Sequence, residues 1–255
     1  MFQQACQTIR ETVYGVKCST SIGTNRASVS TSTGFMISPG VVATVSHGVH
    51  VENNFSKAIH QNFEVICARD IGQQTEPAQF IAEDTDKDIA LLRVTSPRSI
   101  QSVVLAPDIL GIGTSCGSLG FPLSFLNPQN AQYCLLLRFQ GAFISAFNRE
   151  PLPSGGFWEY YETDSLMYNG SSGCPQFTVD GHVFGMQNKS RINTPRTNLQ
   201  STPQNRQQRR QQMKQQLKQQ AAKPLQPSPT DRFAISLSVP SIHIIAFARA
   251  NGISI

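Results

Sequence analysis

The chain has 255 residues, 39% of them hydrophobic and 15% charged, with a formal net charge of +5 at pH 7. That length provides for one large domain or two small ones, and no stretch approaches the roughly eighteen consecutive apolar residues of a membrane-spanning helix. The charge is uneven: Lys189 to Lys223 holds nine Lys or Arg and no Asp or Glu, which leaves a net −4 on the remaining 220 residues.

Residues 3 to 12 read as a short helix. Strand-like runs follow at close spacing: Gly34 to Ser38, Val41 to Val45, Phe63 to Ala68, Gln79 to Ala82 and Ile89 to Val94. After Pro97 the pattern resumes at Ser102 to Leu105, Ile112 to Leu119, Gln132 to Phe139, Ala142 to Phe147 and Phe157 to Glu162. Pro175 to Val179 and His182 to Met186 form a hairpin around Asp180-Gly181, a pair suited to positive φ. Residues 191 to 230 break the pattern. Gln204 to Gln220 alone holds nine glutamines, and so polar a stretch has too little apolar surface to offset its ordering entropy. It reads as an exposed insertion, disordered or partly helical. Strand character returns at Phe233 to Ser238, and Pro240 opens a terminal helix. Many short strands without regularly interleaved helices predict an all-β barrel or sandwich.

Three short segments carry the chemistry. Thr44-Val45-Ser46-His47 follows an apolar run, Asp88 abuts the run Ile89 to Leu92, and Gly170-Ser171-Ser172-Gly173 makes a turn open only to small residues. A serine is a weak nucleophile until an imidazole takes its proton and a buried carboxylate fixes the imidazole tautomer. The chain order His, Asp, Ser differs from that of the α/β-hydrolases and predicts a serine peptidase.

The segments STGFMISPGVVATVSHGVH, DTDKDIALLRV and ETDSLMYNGSSGCPQFTVDGHVFGMQN resemble the trypsin-like serine peptidases, and within them the HtrA (Deg) branch. DRFAISLSVPSIHIIAFARANG is similar to the last strand and closing helix of that branch, so the resemblance covers residues 10 to 190 and 231 to 252. It implies two six-stranded antiparallel barrels with a short C-terminal helix. Residues 1–105 would form the N-terminal helix and first barrel, and 106–190 with 231–255 the second, interrupted by the basic insertion 191–230. Ser172 would be the nucleophile, His47 the general base and acid, and Asp88 its orienting carboxylate. The N–H groups of Gly170 and Ser172 would form the oxyanion hole, and Leu166 the base of the pocket for the residue before the scissile bond. An apolar base predicts cleavage after small or medium apolar residues. No metal or organic cofactor is implied, and no PDZ module is expected after the peptidase. The chain departs from the family pattern at Ser171, where Asn or Asp is usual, and at Cys174, where Gly is common.

Other residues read more plainly. His50, His60, His182 and His243 sit in no comparable motif and are expected as surface or core groups. Asp84 and Asp86 are expected as loop acids, and Asp164 as a group that orders its loop. Gly113 to Gly117 fits the G-x-S-x-G elbow, but Ser115 is not followed by a helical pattern. The six cysteines (Cys6, Cys18, Cys67, Cys116, Cys134, Cys174) show no metal-ligand spacing. Met1 to Arg10 lacks the layout of a secretory signal, which predicts a cytosolic protein with free, mostly core thiols. Two other functions fit the same residues: a peptidase fold that binds peptides without turnover, or a module that holds nucleic acid or an acidic partner through residues 191–223.

Overall fold

The computed structural model describes residues 1–22, 27–68, 73–95, 97, 100–122, 125–126, 133–152, 154–193 and 233–255. Helix α1 (Gln3–Arg10) buries Ala5 and Ile9, while Phe2 at its head lies 5.3 Å from the Phe139 ring and 6.1 Å from that of Phe177. Six strands then close an antiparallel barrel in the order β1-β2-β3-β6-β5-β4. They are β1 (Val13–Ser21), β2 (Ala27–Ser38), β3 (Val41–Thr44), β4 (Asn62–Ala68), β5 (Gln73–Asp84) and β6 (Ile89–Val94).

The continuous apolar runs of β2, β3 and β6 have a simple cause. Met36, Val42 and Leu92 face the barrel interior, whereas Phe35, Ala43 and Leu91 face a second core with Phe121, Phe177 and Val239. Strands buried on both faces have no solvent side on which to place polar residues. The expected runs within β2 to β6 are strands, but β1 was not foreseen. It pairs with β2 from Val13↔Phe35 to Ser21↔Ala27 and with β4 from Gly15↔Ile66 to Ser19↔Asn62.

The second sheet has seven strands, ordered β13-β8-β11-β12-β15-β14-β7. These are β7 (Val104–Leu105), β8 (Ser115–Gly120), β11 (Arg138–Pro151), β12 (Phe157–Thr163), β13 (Pro175–Thr178), β14 (His182–Asn193) and β15 (Phe233–Pro240). A small separate pair joins β9 (Phe125–Leu126) to β10 (Tyr133–Cys134). Strand β13 also pairs with β14, so six strands of the second sheet form a ring, and β7 lies parallel on β14. Helix α2 (Ser241–Ala250) begins after Pro240 and buries Ile244 and Ala248. Among the described residues the fold is all-β, with two large sheets, the small β9–β10 pair and two short α-helices. Among the described residues no helix is long and apolar enough to cross a membrane.

The basic segment between β14 and β15 lies outside the described residues from 194 to 232, and with it the expectations of disorder and of a nucleic-acid or acidic partner. Strands β14 and β15 are nonetheless neighbours in the sheet. Replacing residues 194–232 by a short Gly/Ser bridge should therefore leave a chain that unfolds in one cooperative thermal transition. A non-cooperative transition by near-UV circular dichroism would show that the segment contributes to the core.

Candidate active site

The register of β3 against β6 places His47 beside Asp88. Thr44 pairs with Ala90, so the residues just after β3 and just before β6 emerge at the same end of the barrel. Asp88 is fully buried and adopts φ +59°, a left-handed backbone that Asp tolerates better than most residues. Its Oδ1 accepts the His47 backbone N–H at 2.9 Å, and His47 Nδ1 lies 2.9 Å from Oδ2 and 3.1 Å from Oδ1. Nδ1 facing a carboxylate carries the proton, which leaves Nε2 free to act as a base. His47 is partly exposed and lines a cleft of about 600 Å³ together with Gly170 and Ser172. Among the described residues no hydrogen bond joins Ser172 Oγ to the imidazole.

The serine loop between β12 and β13 is held from several directions. Ser171 N–H donates to Tyr168 O at 2.9 Å, and Ser171 Oγ accepts the Tyr168 N–H at 3.2 Å, so the serine closes the turn with its own hydroxyl. Thr33 of β2 reaches across: its N–H donates to Ser172 O at 2.8 Å and its Oγ1 to Gly170 O at 2.8 Å. Gly173 N–H donates to Gln187 O at 2.7 Å. With both carbonyls turned toward Thr33, the N–H groups of Gly170 and Ser172 have no acceptor among the described residues. Gly170 and Gly173 adopt φ +90° and +88°, and a Cβ on Gly173 would stand 1.8 Å from Thr33 O.

Cys174 fits because of a distant glycine. A Cβ on Gly120 would lie 2.0 Å from Cys174 Sγ, so the bare backbone of Gly120 is what admits the thiol. Cys174 is 2% exposed, and burial pushes its pKa up to about 12. A thiol so far from ionisation is a packing group, not a nucleophile. Cys6, Cys18, Cys67 and Cys116 are free as well, and the last three are buried.

A second set of polar groups, not foreseen as related to the site, surrounds the histidine turn. Ser46 Oγ donates to Glu83 Oε2 at 2.5 Å, and His50 Nε2 lies 2.8 Å from the same oxygen. His50 Nδ1 faces Lys57 O at 2.8 Å. Both ring nitrogens thus have a partner, the Glu83 carboxylate on one side and the Lys57 carbonyl on the other. His60 is different. Ser30 Oγ donates to His50 O, so it accepts from His60 Nε2, 2.9 Å away. Thr20 Oγ1, which accepts the Gln61 N–H, donates to His60 Nδ1 at 3.0 Å. That chain suits a neutral ring. No motif marked these residues: His50 and His60 follow the Ser46-His47 turn, but Glu83 lies 37 positions from Ser46.

The remaining expected groups fall as follows. Asp164 Oδ1 accepts the Phe143 N–H at 2.7 Å, which orders its loop. Asp84 pairs with Lys87 at 2.9 Å, and Asp86 accepts from Ser154. His182 pairs with Asp180 on the surface, and His243 lies 3.1 Å from Glu159. Ser115 sits in β8 opposite Phe143 and does not line the cleft. Leu166 is 50% exposed and is not among the cleft-lining residues; Met167, Tyr168 and Asn169 are. The strand β14 supplies Asn188, Lys189 and Ser190 to the cleft wall, residues that sequence reasoning did not single out.

Two β sheets, with an imidazole–carboxylate pair at the end of one and a tight serine loop on the other, define the two-barrel peptidase class. Residues 32–186 match the trypsin-like peptidase domain, and the chain belongs to that family. It is 26% identical over 155 residues to a probable periplasmic serine endoprotease, DegP-like, of Chlamydia pneumoniae, which is 60% of this chain and 28% of that protein. A similarly described protein of Halomonas elongata is 25% identical over 157 residues, 61% of this chain and 28% of the relative. The matched stretch thus spans little more than a quarter of each relative. Among solved structures, the active form of the Rv3671c protease of M. tuberculosis superposes with a TM-score of 0.66 at 17% identity, covering 98% of this chain and 85% of that one. The HtrA-type protease AlgW with a tripeptide gives a TM-score of 0.63 at 14% identity, covering 98% and 63%.

The expectation of a cytosolic location does not stand, because both of these curated relatives are described as periplasmic. Its physical basis was weak as well. Met1 to Arg10 is built into the core through Phe2, Ala5 and Ile9, so its layout reflects packing.

Two outcomes follow from this geometry. Gly173→Ala should lower stability by several kcal/mol, because a backbone clash adds to an unfavourable φ; thermal unfolding measures it, and an unchanged melting temperature would contradict the Thr33 contact. Burial, with neighbouring His50 adding to it, holds the His60 pKa below its ordinary value. The folded chain therefore binds fewer protons than the unfolded one just below about pH 6.5. Stability from this group is complete above that pH and is lost as pH falls toward the folded pKa. His60→Gln, which cannot titrate, should lose less melting temperature than wild type between pH 7 and pH 5.

Proposed function

We propose that the protein is a serine endopeptidase that cleaves peptide bonds through an acyl-Ser172 intermediate. The observation that carries this reading is the His47–Asp88 pair opening onto the same cleft as Ser172. In the reaction His47 Nε2 takes the Ser172 Oγ proton as Oγ attacks the scissile carbonyl carbon. Asp88 holds the ring in the Nδ1–H tautomer and stabilises the imidazolium that forms. The carbonyl oxygen becomes an oxyanion, for which the N–H groups of Gly170 and Ser172 are available as donors. His47 then returns the proton to the leaving amine, and water repeats the sequence in reverse on the acyl ester.

Leu166 is half exposed and is not among the cleft-lining residues, which lends no support to an apolar pocket base at that position. The cleft instead has Lys189 and polar neutral groups on its walls, and no Asp or Glu among the described residues. A substrate Lys or Arg would find no counter-ion there, and an unpaired desolvated cation is costly.

A fluorophosphonate probe should label wild type and not Ser172→Ala. Ser172→Ala and His47→Ala should each lower kcat by about 10⁶-fold, and Asp88→Asn by about 10⁴-fold through the wrong tautomer. Ser115→Ala should keep wild-type activity. Labelling that survives Ser172→Ala, or a dominant preference for Lys or Arg before the cut in a peptide library, would overturn the respective part of this reading.

A further inference from the structure

The turn that carries His47 is tied to the barrel at both ends by one carboxylate. Residues 46 to 50 wind as a single short turn: Gly48 N–H donates to Val45 O at 3.2 Å, Val49 N–H to Ser46 O at 3.0 Å and His50 N–H to His47 O at 3.3 Å. Ser46 opens that turn and is fully buried, and His50 closes it at 5% exposure. Both side chains reach the same atom. Ser46 Oγ donates to Glu83 Oε2 at 2.5 Å, and His50 Nε2 lies 2.8 Å from it. The barrel register brings Glu83 there, since it pairs with Ala90, and Ala90 pairs with Thr44, two residues before Ser46.

The loop after the turn has anchors of its own. His50 Nδ1 faces Lys57 O at 2.8 Å, Val51 N–H donates to Ala58 O at 3.0 Å, and His60 N–H donates to Val49 O at 2.9 Å. The course of residues 51 to 60 is therefore set without Glu83. What the carboxylate adds is a cross-link between the first and last residues of the turn, with His47 between them. Asp88 holds the near side of the imidazole, through Nδ1 and the His47 backbone N–H. The reacting nitrogen, Nε2, is on the far side of the ring, so its place depends on the pitch of the backbone that carries the side chain. Hydrogen bonds to a carboxylate are stronger than those between neutral groups, which suits Glu83 to fix that pitch.

We propose that Glu83 is a positioning residue for the reaction: by clamping Ser46 to His50 it sets where His47 presents Nε2 to Ser172. This rests on the peptidase reading of the cleft. Glu83 is not among the cleft-lining residues, so it acts through the turn and not on the bound peptide. Its contribution therefore belongs to kcat and not to KM, because a reacting group misplaced by about an ångström costs on the order of 10²-fold in rate.

The test is steady-state kinetics of wild type, Glu83→Ala, Glu83→Gln, Ser46→Ala and the Ser46→Ala, Glu83→Ala double variant, on a peptide that wild type cleaves. Fluorophosphonate labelling rates and thermal unfolding accompany each. Glu83→Ala should leave KM near its wild-type value and lower kcat on the order of 10²-fold. Its labelling rate should fall in step, because labelling also needs His47 to take the Ser172 proton. Glu83→Gln keeps the side-chain length and an oxygen for the Ser46 hydroxyl, and should recover most of the loss. Ser46→Ala removes one arm of the clamp and should lower kcat less than Glu83→Ala does. In its presence Glu83→Ala should cost less than it costs alone, since the groups act as one unit. If Glu83→Ala fails to fold, Ser46→Ala carries the same test, because it removes one hydroxyl with little change of shape. Wild-type kcat in either folded variant, or a loss that falls on KM with kcat kept, would overturn the proposal and leave the peptidase reading intact. A wild type that neither labels nor hydrolyses would overturn the peptidase reading, and this proposal with it.

Discussion

Thr33 is the point on which the site turns. Its N–H and hydroxyl hold the carbonyls of Ser172 and Gly170, its hydroxyl oxygen accepts the Phe121 N–H at 3.1 Å, and its carbonyl accepts from Thr44 Oγ1 at 2.7 Å. Thr44 ends the strand that leads to His47, and it also bonds Ser32 Oγ at 3.0 Å. One residue of the first barrel therefore fixes both the serine loop and the approach to the histidine. The contact is also why Gly173 is confined to glycine, since any side chain would occupy the space of the Thr33 carbonyl. A serine and an imidazole that belong to different sheets need such a tie, because misplacement by an ångström costs far more rate than it costs stability.

Protonation is organised around the same turn. Asp88 accepts from both the backbone and the ring of His47, which fixes position and tautomer with one carboxylate. Glu83 does a parallel task one residue earlier, taking the Ser46 hydroxyl and the His50 ring. The Ser46-His47 dipeptide is thus bracketed by two acids, one near the end of β5 and one just before β6. His60 continues the network in neutral form, and its Nε2–H supports the Ser30 hydroxyl that reaches His50 O.

Much of this was legible in the residues, for reasons that differ from place to place. The doubly buried strands β2, β3 and β6 announce themselves as unbroken apolar runs, and Asp88 was singled out because it abuts one. Strand β1 did not, since Lys17 and the run Ser19 to Ser21 give it little apolar character. It is a strand because β2 and β4 pair with both of its edges. The tolerance of Cys174 depends on Gly120, more than fifty positions earlier, which no local motif records. Leu166 was placed by counting back from the serine, but the chain turns it toward solvent and brings β14 to the cleft instead. Position in a motif records the backbone path, whereas the direction of a side chain such as Leu166 is set by packing that no local motif carries.

Both sheets bury polar groups, and among the described residues the buried side-chain atoms without a hydrogen-bond partner lie in the second sheet and the closing helix. The first barrel encloses an apolar set, Val16, Met36, Val42, Val65 and Leu92, which makes a stiff base for the His47–Asp88 pair. The second buries Thr163, Ser165, Gln176, Gln187, Asn188, Ser236 and Ser238, several with unpaired atoms. A polar interior with incomplete pairing is a poor choice for stability, where apolar groups of the same shape would do better. The stability surrendered there is tolerable only because the apolar barrel and the shared core of Phe35, Phe121, Phe177 and Val239 hold the fold independently.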